Sequence, residues 1–171
     1  MSEDTPSNNA PDAPISDVAQ MPIRMHGQYI KDLSFEVPNA PDVFRDIRTT
    51  QPEIEVNIDT AVRNLQGNTF EVTLTIHVDA DVAKKKCFIL ELAYSAFVEL
   101  APDLPDEHKA PILLIEIPRQ LFPFVRQLVS AMTGQSGFPP MMLDMIDFAA
   151  VYRQRYGEGQ PPMPDPAPAV H

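Results

Sequence analysis

The side chains able to do chemistry in this 171-residue sequence form a pattern of charge and not one of catalysis. Its four histidines, His26, His77, His108 and His171, lie far apart and lack the short spacings of a metal site. The single cysteine, Cys87, has no partner for a disulfide and no companions for a thiolate zinc site, so it reads as an inert, mostly buried thiol. Six glycines are too few and too dispersed to build a phosphate-cradling loop. No metal, nucleotide or other cofactor is expected, and no catalytic residue stands out. What remains is a set of carboxylates: Asp32, Glu36, Glu53, Glu55, Asp59, Glu71, Asp79 and Glu91. They fall on the polar parity of four predicted strands, with no lysine or arginine among them. Ile89 sits beside Glu91 as an apolar spot in this field. A one-signed face of this kind suits docking of a basic partner, where complementary charge speeds encounter and confers specificity. The plainer alternative is a solvated sheet face. A hydrolase or isomerase would need two such acids perturbed in a cleft, whereas these lie on an open face. The formal charge of −11 and the pI of about 4.6 argue against nucleic acid and anionic lipid as partners.

The elements that carry these acids are legible from periodicity. In residues 29–44, YIKDLSFEVPNAPDVF, the first half alternates: Tyr29, Lys31, Leu33, Phe35 and Val37 on one parity, Ile30, Asp32, Ser34 and Glu36 on the other. Pro38 and Pro41 stop the strand and open a connection reaching to about residue 52. Connections of this length are uncommon in compact domains and are usually functional. A second strand is predicted over 53–59 and a third over 70–79, with Gly67-Asn68 as the hairpin turn between them. In the third, Phe70, Val72, Leu74, Ile76 and Val78 face in, and Glu71, Thr73, Thr75, His77 and Asp79 face out. A fourth strand over 87–100 is apolar on both parities, as in a buried or partner-covered position. Short links between strands two, three and four imply an antiparallel meander.

Residues 102–109 read as a loop and 112–117 as a linker or minor strand. The first helix is expected around Pro123, placed in its first turn, with Gly134 at its end. Leu121, Phe122, Phe124, Val125, Leu128, Val129 and Met132 wrap that helix too widely for one buried stripe. One cover would be its own sheet and the other a second subunit. A proline- and methionine-rich connector, 138–143, leads to a short second helix over 148–156 with Asp147 as N-cap. Residues 1–24 and 157–171, rich in proline and acid or in proline alone, read as tails flanking one domain over 25–156. The first 24 residues show no secretory signal, and no segment offers the ~18–20 apolar residues of a membrane span. The cytoplasm is the default compartment. Phe44 and Ile47 in the long connection, Met141 and Met142 in the connector, and Phe148, Val151 and Tyr152 on the last helix form a second pattern. They read either as core or as an adaptable apolar groove.

Residues 29–44, together with FILEL at 88–92, LFPFVR at 121–126 and GFPP at 137–140, resemble the SecB family of protein-export chaperones. The similarity covers roughly residues 25–156. It implies an α+β fold, a four-stranded antiparallel sheet with two helices packed on one face, assembled as a homotetramer that is a dimer of dimers. It further implies an ATP-independent holdase that binds unfolded preproteins and passes them to the SecA motor. By position, the resemblance assigns Asp32, Glu36, Ile89 and Glu91 to the motor-docking face, and Phe44, Ile47, Phe148 and Tyr152 to the preprotein groove; Val151 joins that groove from the apolar pattern of the last helix. Two alternatives stay open: a SecB-like chaperone dedicated to one client such as an antitoxin, and a purely structural oligomer indifferent to unfolded protein.

Overall fold

The computed structural model describes residues 22–157, so the readings made for 1–21 and 158–171 lie outside the described residues. Within that span the chain runs β1 (Ile23–Glu36), a one-turn α1 (Val43–Asp46), β2 (Glu53–Gln66), β3 (Thr69–Val82), β4 (Lys85–Leu100), α2 (Asp106–Pro111), α3 (Ile117–Gln135) and α4 (Phe148–Tyr156). A π-helical segment, Ile112–Glu116, joins α2 to α3. The four strands form one antiparallel sheet in the order β1-β4-β3-β2. The expected meander of β2, β3 and β4 is present, and β1 returns to pair with β4. Gly67, at φ +57°, makes the β2–β3 turn as its sequence signals. The β3–β4 turn does the same work with Ala83 and Lys84, at φ +49° and +65°, residues that gain nothing from the left-handed region.

Alternation holds most firmly in the centre of the sheet. Phe70, Val72, Leu74, Ile76 and Val78 of β3 are all buried on the inner face, as expected, beside Leu90, Leu92, Ala96 and Val98 of β4. The helical side closes over them with Leu121, Val125 and Val129 of α3, each fully buried. Burying such side chains contributes ~1.5–3 kcal/mol apiece before ordering costs. Cys87 is fully buried too, and burial, followed by the nearby Asp81, pushes its thiol up, in keeping with an inert residue.

Two expectations are corrected. The first concerns β1. Its alternation is broken between Ile30, opposite Tyr94, and Asp32, opposite Ala93. One extra residue, Lys31, is accommodated as a bulge. Leu33 and Phe35 therefore lie on the inner face opposite Leu92 and Leu90, but Tyr29 lies on the outer face opposite Ser95. The single-parity reading of Tyr29 with Leu33 and Phe35 fails because one inserted residue inverts every side chain beyond it.

The second correction concerns the helical half. Residues 106–135 form one continuous helical run, where a loop, a linker or minor strand, and then a helix were expected. A short apolar run such as 112–117 fits a strand or a buried helix equally by periodicity. Pro118 occupies the first turn of α3, and Pro123 is inside the helix and not in its first turn. The helix ends at Gln135 beyond Gly134. The last helix, α4, has its predicted cap: Asp147 Oδ1 accepts from the Ala150 backbone amide at 3.0 Å. It packs chiefly on the π-helical segment, which lies against β2 while α3 lies against β3 and β4, and it reaches the β2 edge through Arg155 and Asp59.

Candidate functional site

The sheet turns its other face outward, and there the register sets the candidate residues in rows. Glu36 of β1 lies beside Ile89 of β4, then Asp79 of β3 and Glu55 of β2. The next row is Ser34, Glu91, His77 and Asn57, and the next Asp32, Ala93, Thr75 and Asp59. Asp32, Glu36, Ile89 and Glu91 thus occupy three consecutive rows of two adjacent strands. The Lys31 bulge leaves Asp32 on this face. Asp32, Glu36 and Glu91 are exposed and Ile89 is half-buried. This is a small apolar step rimmed by carboxylates.

The face is less one-signed than its sequence parity suggests. Lys31, brought out at the bulge, donates to Glu71 Oε2 at 2.8 Å, and Arg63 Nε donates to the same oxygen at 3.0 Å. Tyr29 donates its hydroxyl to Glu71 Oε1. Glu71 is only 4% exposed, so it belongs to a closed network and not to an open acidic field. Burial alone would raise its carboxyl, but hydrogen bonds from Lys31, Tyr29 and Arg63 outweigh that and hold it below the usual carboxylate range. Lys86 binds Asp79 at 2.7 Å and Asp81 at 3.0 Å, and Arg155 reaches from α4 to Asp59. Hydrogen bonds from Lys86 and then His77 lower the Asp79 carboxyl. Cations therefore cluster towards the Gly67 turn, around Glu71, and along the β3–β4 turn, leaving Asp32, Glu36, Glu53, Glu55 and Glu91 as the exposed acids between them.

The apolar candidates sit on the helical side. Phe44 of α1 meets Phe138 in a tilted contact at 5.0 Å between ring centroids, and Phe138 contacts Phe88 at 5.1 Å, which in turn stacks on Phe35 at 5.3 Å. The Phe44 ring lies 3.2 Å from the point where a Cβ on Gly137 would be, and Gly137 has φ +88°. Beside this aromatic cluster opens a cavity of about 270 Å³ walled by Ile47, Pro52, Ile54, Phe88, Phe138 and Met141. Ile54, on edge strand β2, is 50% exposed. The three candidates on α4 lie elsewhere. Phe148 is 2% exposed and meets Phe122 edge to face at 5.9 Å, as part of the core. Val151 and Tyr152 line a narrow slot with Leu114 and Thr60. A further cavity of about 490 Å³ separates α3 from the connector, walled by Phe122, Arg126, Met142, Met145, Ile146 and Phe148. The structure thus brings Phe44 and Ile47 together and sets Phe148, Val151 and Tyr152 apart from them. Phe138, Phe88 and Ile54 were not assigned to the groove from sequence. For Phe138 the signal was present in Gly137, immediately before it.

Comparison with known proteins agrees with this arrangement. Residues 16–158 match the family model described as preprotein translocase subunit SecB. The chain is 45% identical over 141 residues to the protein-export protein SecB of Rhodospirillum rubrum, covering 82% of this chain and 86% of that one. It is 45% identical over 145 residues to that of Paramagnetospirillum magneticum, covering 85% and 91%. Among solved structures, the SecB-like chaperone Rv1957 of Mycobacterium tuberculosis, in complex with a peptide from the HigA1 antitoxin, superposes with a TM-score of 0.61 at 15% identity, covering 72% of this chain and 90% of that one. That likeness concerns the fold: a four-stranded antiparallel sheet backed by helices. With the signature residues, the sheet order and relatives at this identity in agreement, the chain belongs to the SecB family of protein-export chaperones.

Proposed function

We propose that the protein is an ATP-independent holdase that binds unfolded preproteins in the apolar groove beside Ile47, Ile54 and Phe138 and delivers them through its acidic sheet face to the SecA motor. The observation that carries this reading is the separation of the two surfaces. The groove opens on the helical side of the sheet and the carboxylate-rimmed step of Ile89 on the opposite side. One protein can then hold a client and a motor together. Each client side chain fully buried in such a groove contributes ~1.5–3 kcal/mol before ordering costs, so a single contact is weak. Several grooves on one oligomer would hold a long chain by effective concentration. A homotetramer built as a dimer of dimers supplies them. Its support is an exposed apolar surface on the helical side, where Phe124 of α3 is 42% exposed over Tyr94 and Ile30 of β1 is 45% exposed.

In this reading the working unit is residues 25–156, with the chain on either side as extensions. Phe44 acts by bracing Phe138, Ile47 lines the groove, and Phe148, Val151 and Tyr152 of α4 are assigned to preprotein binding at a place apart from it. Asp32, Glu36, Ile89 and Glu91 dock the motor. No reaction is assigned to the protein, and the cytoplasm, where preproteins meet the motor, is its proposed place of action. No described helix is long and apolar enough to cross a membrane.

The test is dilution of a denatured, slowly folding preprotein into buffer with and without the protein and without nucleotide. Stoichiometric suppression of aggregation that spares a folded control is the expected result. Suppression confined to one client would favour the dedicated-chaperone alternative, and none at several-fold excess would remove the holdase role. For the docking face, Asp32→Lys, Glu36→Lys and Glu91→Lys should each weaken SecA binding while leaving aggregation suppression intact.

A further inference from the structure

Between the docking acids and the rest of the face stands His77. Its Nε2 lies 2.6 Å from Asp79 Oδ2 on its own strand, and its Nδ1 lies 3.2 Å from Glu91 Oε1 on β4. The other groups around it are accounted for. Asn57, its neighbour on β2, is uncharged and donates to Glu55. Lys86, of β4, binds the other oxygen of Asp79. Ser34 of β1 lies beyond Glu91 in the same row. Both ring nitrogens thus point at carboxylates.

We propose that His77 is a positioning residue of the docking face: in its protonated form it holds Glu91 as an internal substitute for the partner's cation, and in its neutral form it releases Glu91 to a basic partner. A neutral imidazole donates one hydrogen bond only. Given to Asp79, which has the shorter contact, that bond leaves a lone pair on Nδ1 facing the Glu91 oxygen, which repels the carboxylate. An imidazolium donates to both, ties Glu91 across the strands and cancels one of the two negative charges. A lysine or arginine arriving at the Ile89 step must then displace His77 from Glu91. Docking should therefore strengthen as pH rises through the range in which histidines lose their proton. The partner class is a cationic protein surface, and the proposal rests on the docking reading given above.

The test uses the full chain and purified SecA, with the dissociation constant measured from pH 6 to pH 8 at low ionic strength. Wild-type affinity should rise by about two- to five-fold more across this range than that of His77→Gln, as befits one partly exposed pair. Asp32→Lys serves as the control on the docking site, since it weakens binding at every pH only if this face docks the motor. Parallel pH profiles for wild type and His77→Gln, with Asp32→Lys weakened, would overturn the role of His77 and spare the docking face. An unaffected Asp32→Lys would overturn both. Should His77→Gln fail to fold, NMR titration of the wild-type imidazole gives the second reading. Adding SecA at pH 6.5 should shift His77 towards its neutral form, and an unchanged protonation would overturn the proposal.

Discussion

Glu71 shows how far a residue's role departs from its parity. It sits on the outward side of β3, yet it is sealed by Tyr29 and Lys31 from β1 and Arg63 from β2, tying three strands together over the top of β4. Replacing it with alanine removes the acceptor for all three donors, each of which is exposed enough to turn to water. The expected loss is about 1–3 kcal/mol in urea denaturation at pH 7. The pH dependence follows from the depressed carboxyl. Stability from Glu71 is fully present above its unfolded value, near 4.3. It is lost as pH falls through the lower folded value. The gap between wild type and Glu71→Ala should therefore be constant at neutral pH and narrow below about pH 4.3, and a gap that widens in acid would contradict the network. Gly137 makes a second case. A methyl group there meets the Phe44 ring at 3.2 Å on a backbone at φ +88°. Gly137→Ala should cost about 1–3 kcal/mol and, by displacing Phe44 from Phe138, lower the capacity to suppress aggregation. A variant with wild-type stability and capacity would show that this brace is dispensable.

At the scale of elements, the β3–β4 hairpin carries a cost that the β2–β3 hairpin avoids. Both ask for positive φ, but the first meets it with Ala83 and Lys84 where the second has Gly67. The double substitution Ala83→Asn, Lys84→Gly should raise the thermal midpoint, with a gain of about 1–2 kcal/mol, because left-handed backbone is less costly for these residues. No gain would mean that the turn is held by contacts of Lys84 and Ala83 that outweigh the backbone term. The same contrast explains what the sequence discloses. Period two and a Gly-Asn turn identify β2, β3 and their hairpin, since those signals are local. The bulge at Lys31 is not local: Tyr29, Ile30, Lys31 and Asp32 tolerate either face, and only pairing with β4 decides between them. The four residues proposed for docking share the face that sequence parity gives them, because Asp32 and Glu36 lie past that bulge and Ile89 and Glu91 lie opposite them on β4. The cavity proposed as the groove could be read from sequence only in part. Ile47 and Met141 belong to segments that announce themselves by proline and length, whereas Ile54 and Phe88 reach the same cavity through strand order, which no local pattern encodes. The helical run across 106–135 was obscured by Pro111, Pro118 and Pro123, each of which would ordinarily mark an end.

For the whole molecule, the proposed holdase would need several weak grooves to hold a client long enough to deliver it. The described chain leaves apolar surface on its helical side at Phe124 and Ile30, flanking Tyr94, separate from the groove at Ile47 and Phe138. If that surface is where subunits meet, association and client binding can be broken independently. Phe124→Asp places a charge where a partner helix would bury an aromatic ring, and an unpaired buried carboxylate is costly enough to disfavour the contact. Its own fold should survive, since Phe124 is 42% exposed while Leu121 and Val125 carry the packing on the sheet. Light scattering coupled to gel filtration should show smaller species for the variant at micromolar concentration. A short apolar peptide that fills one groove should bind variant and wild type alike. A long unfolded preprotein should bind the variant at least about ten-fold more weakly, because linking several sites is what raises its affinity. Equal loss for peptide and preprotein would locate Phe124 in the groove, and full retention of both in a dissociated variant would show that a single subunit suffices to hold a client.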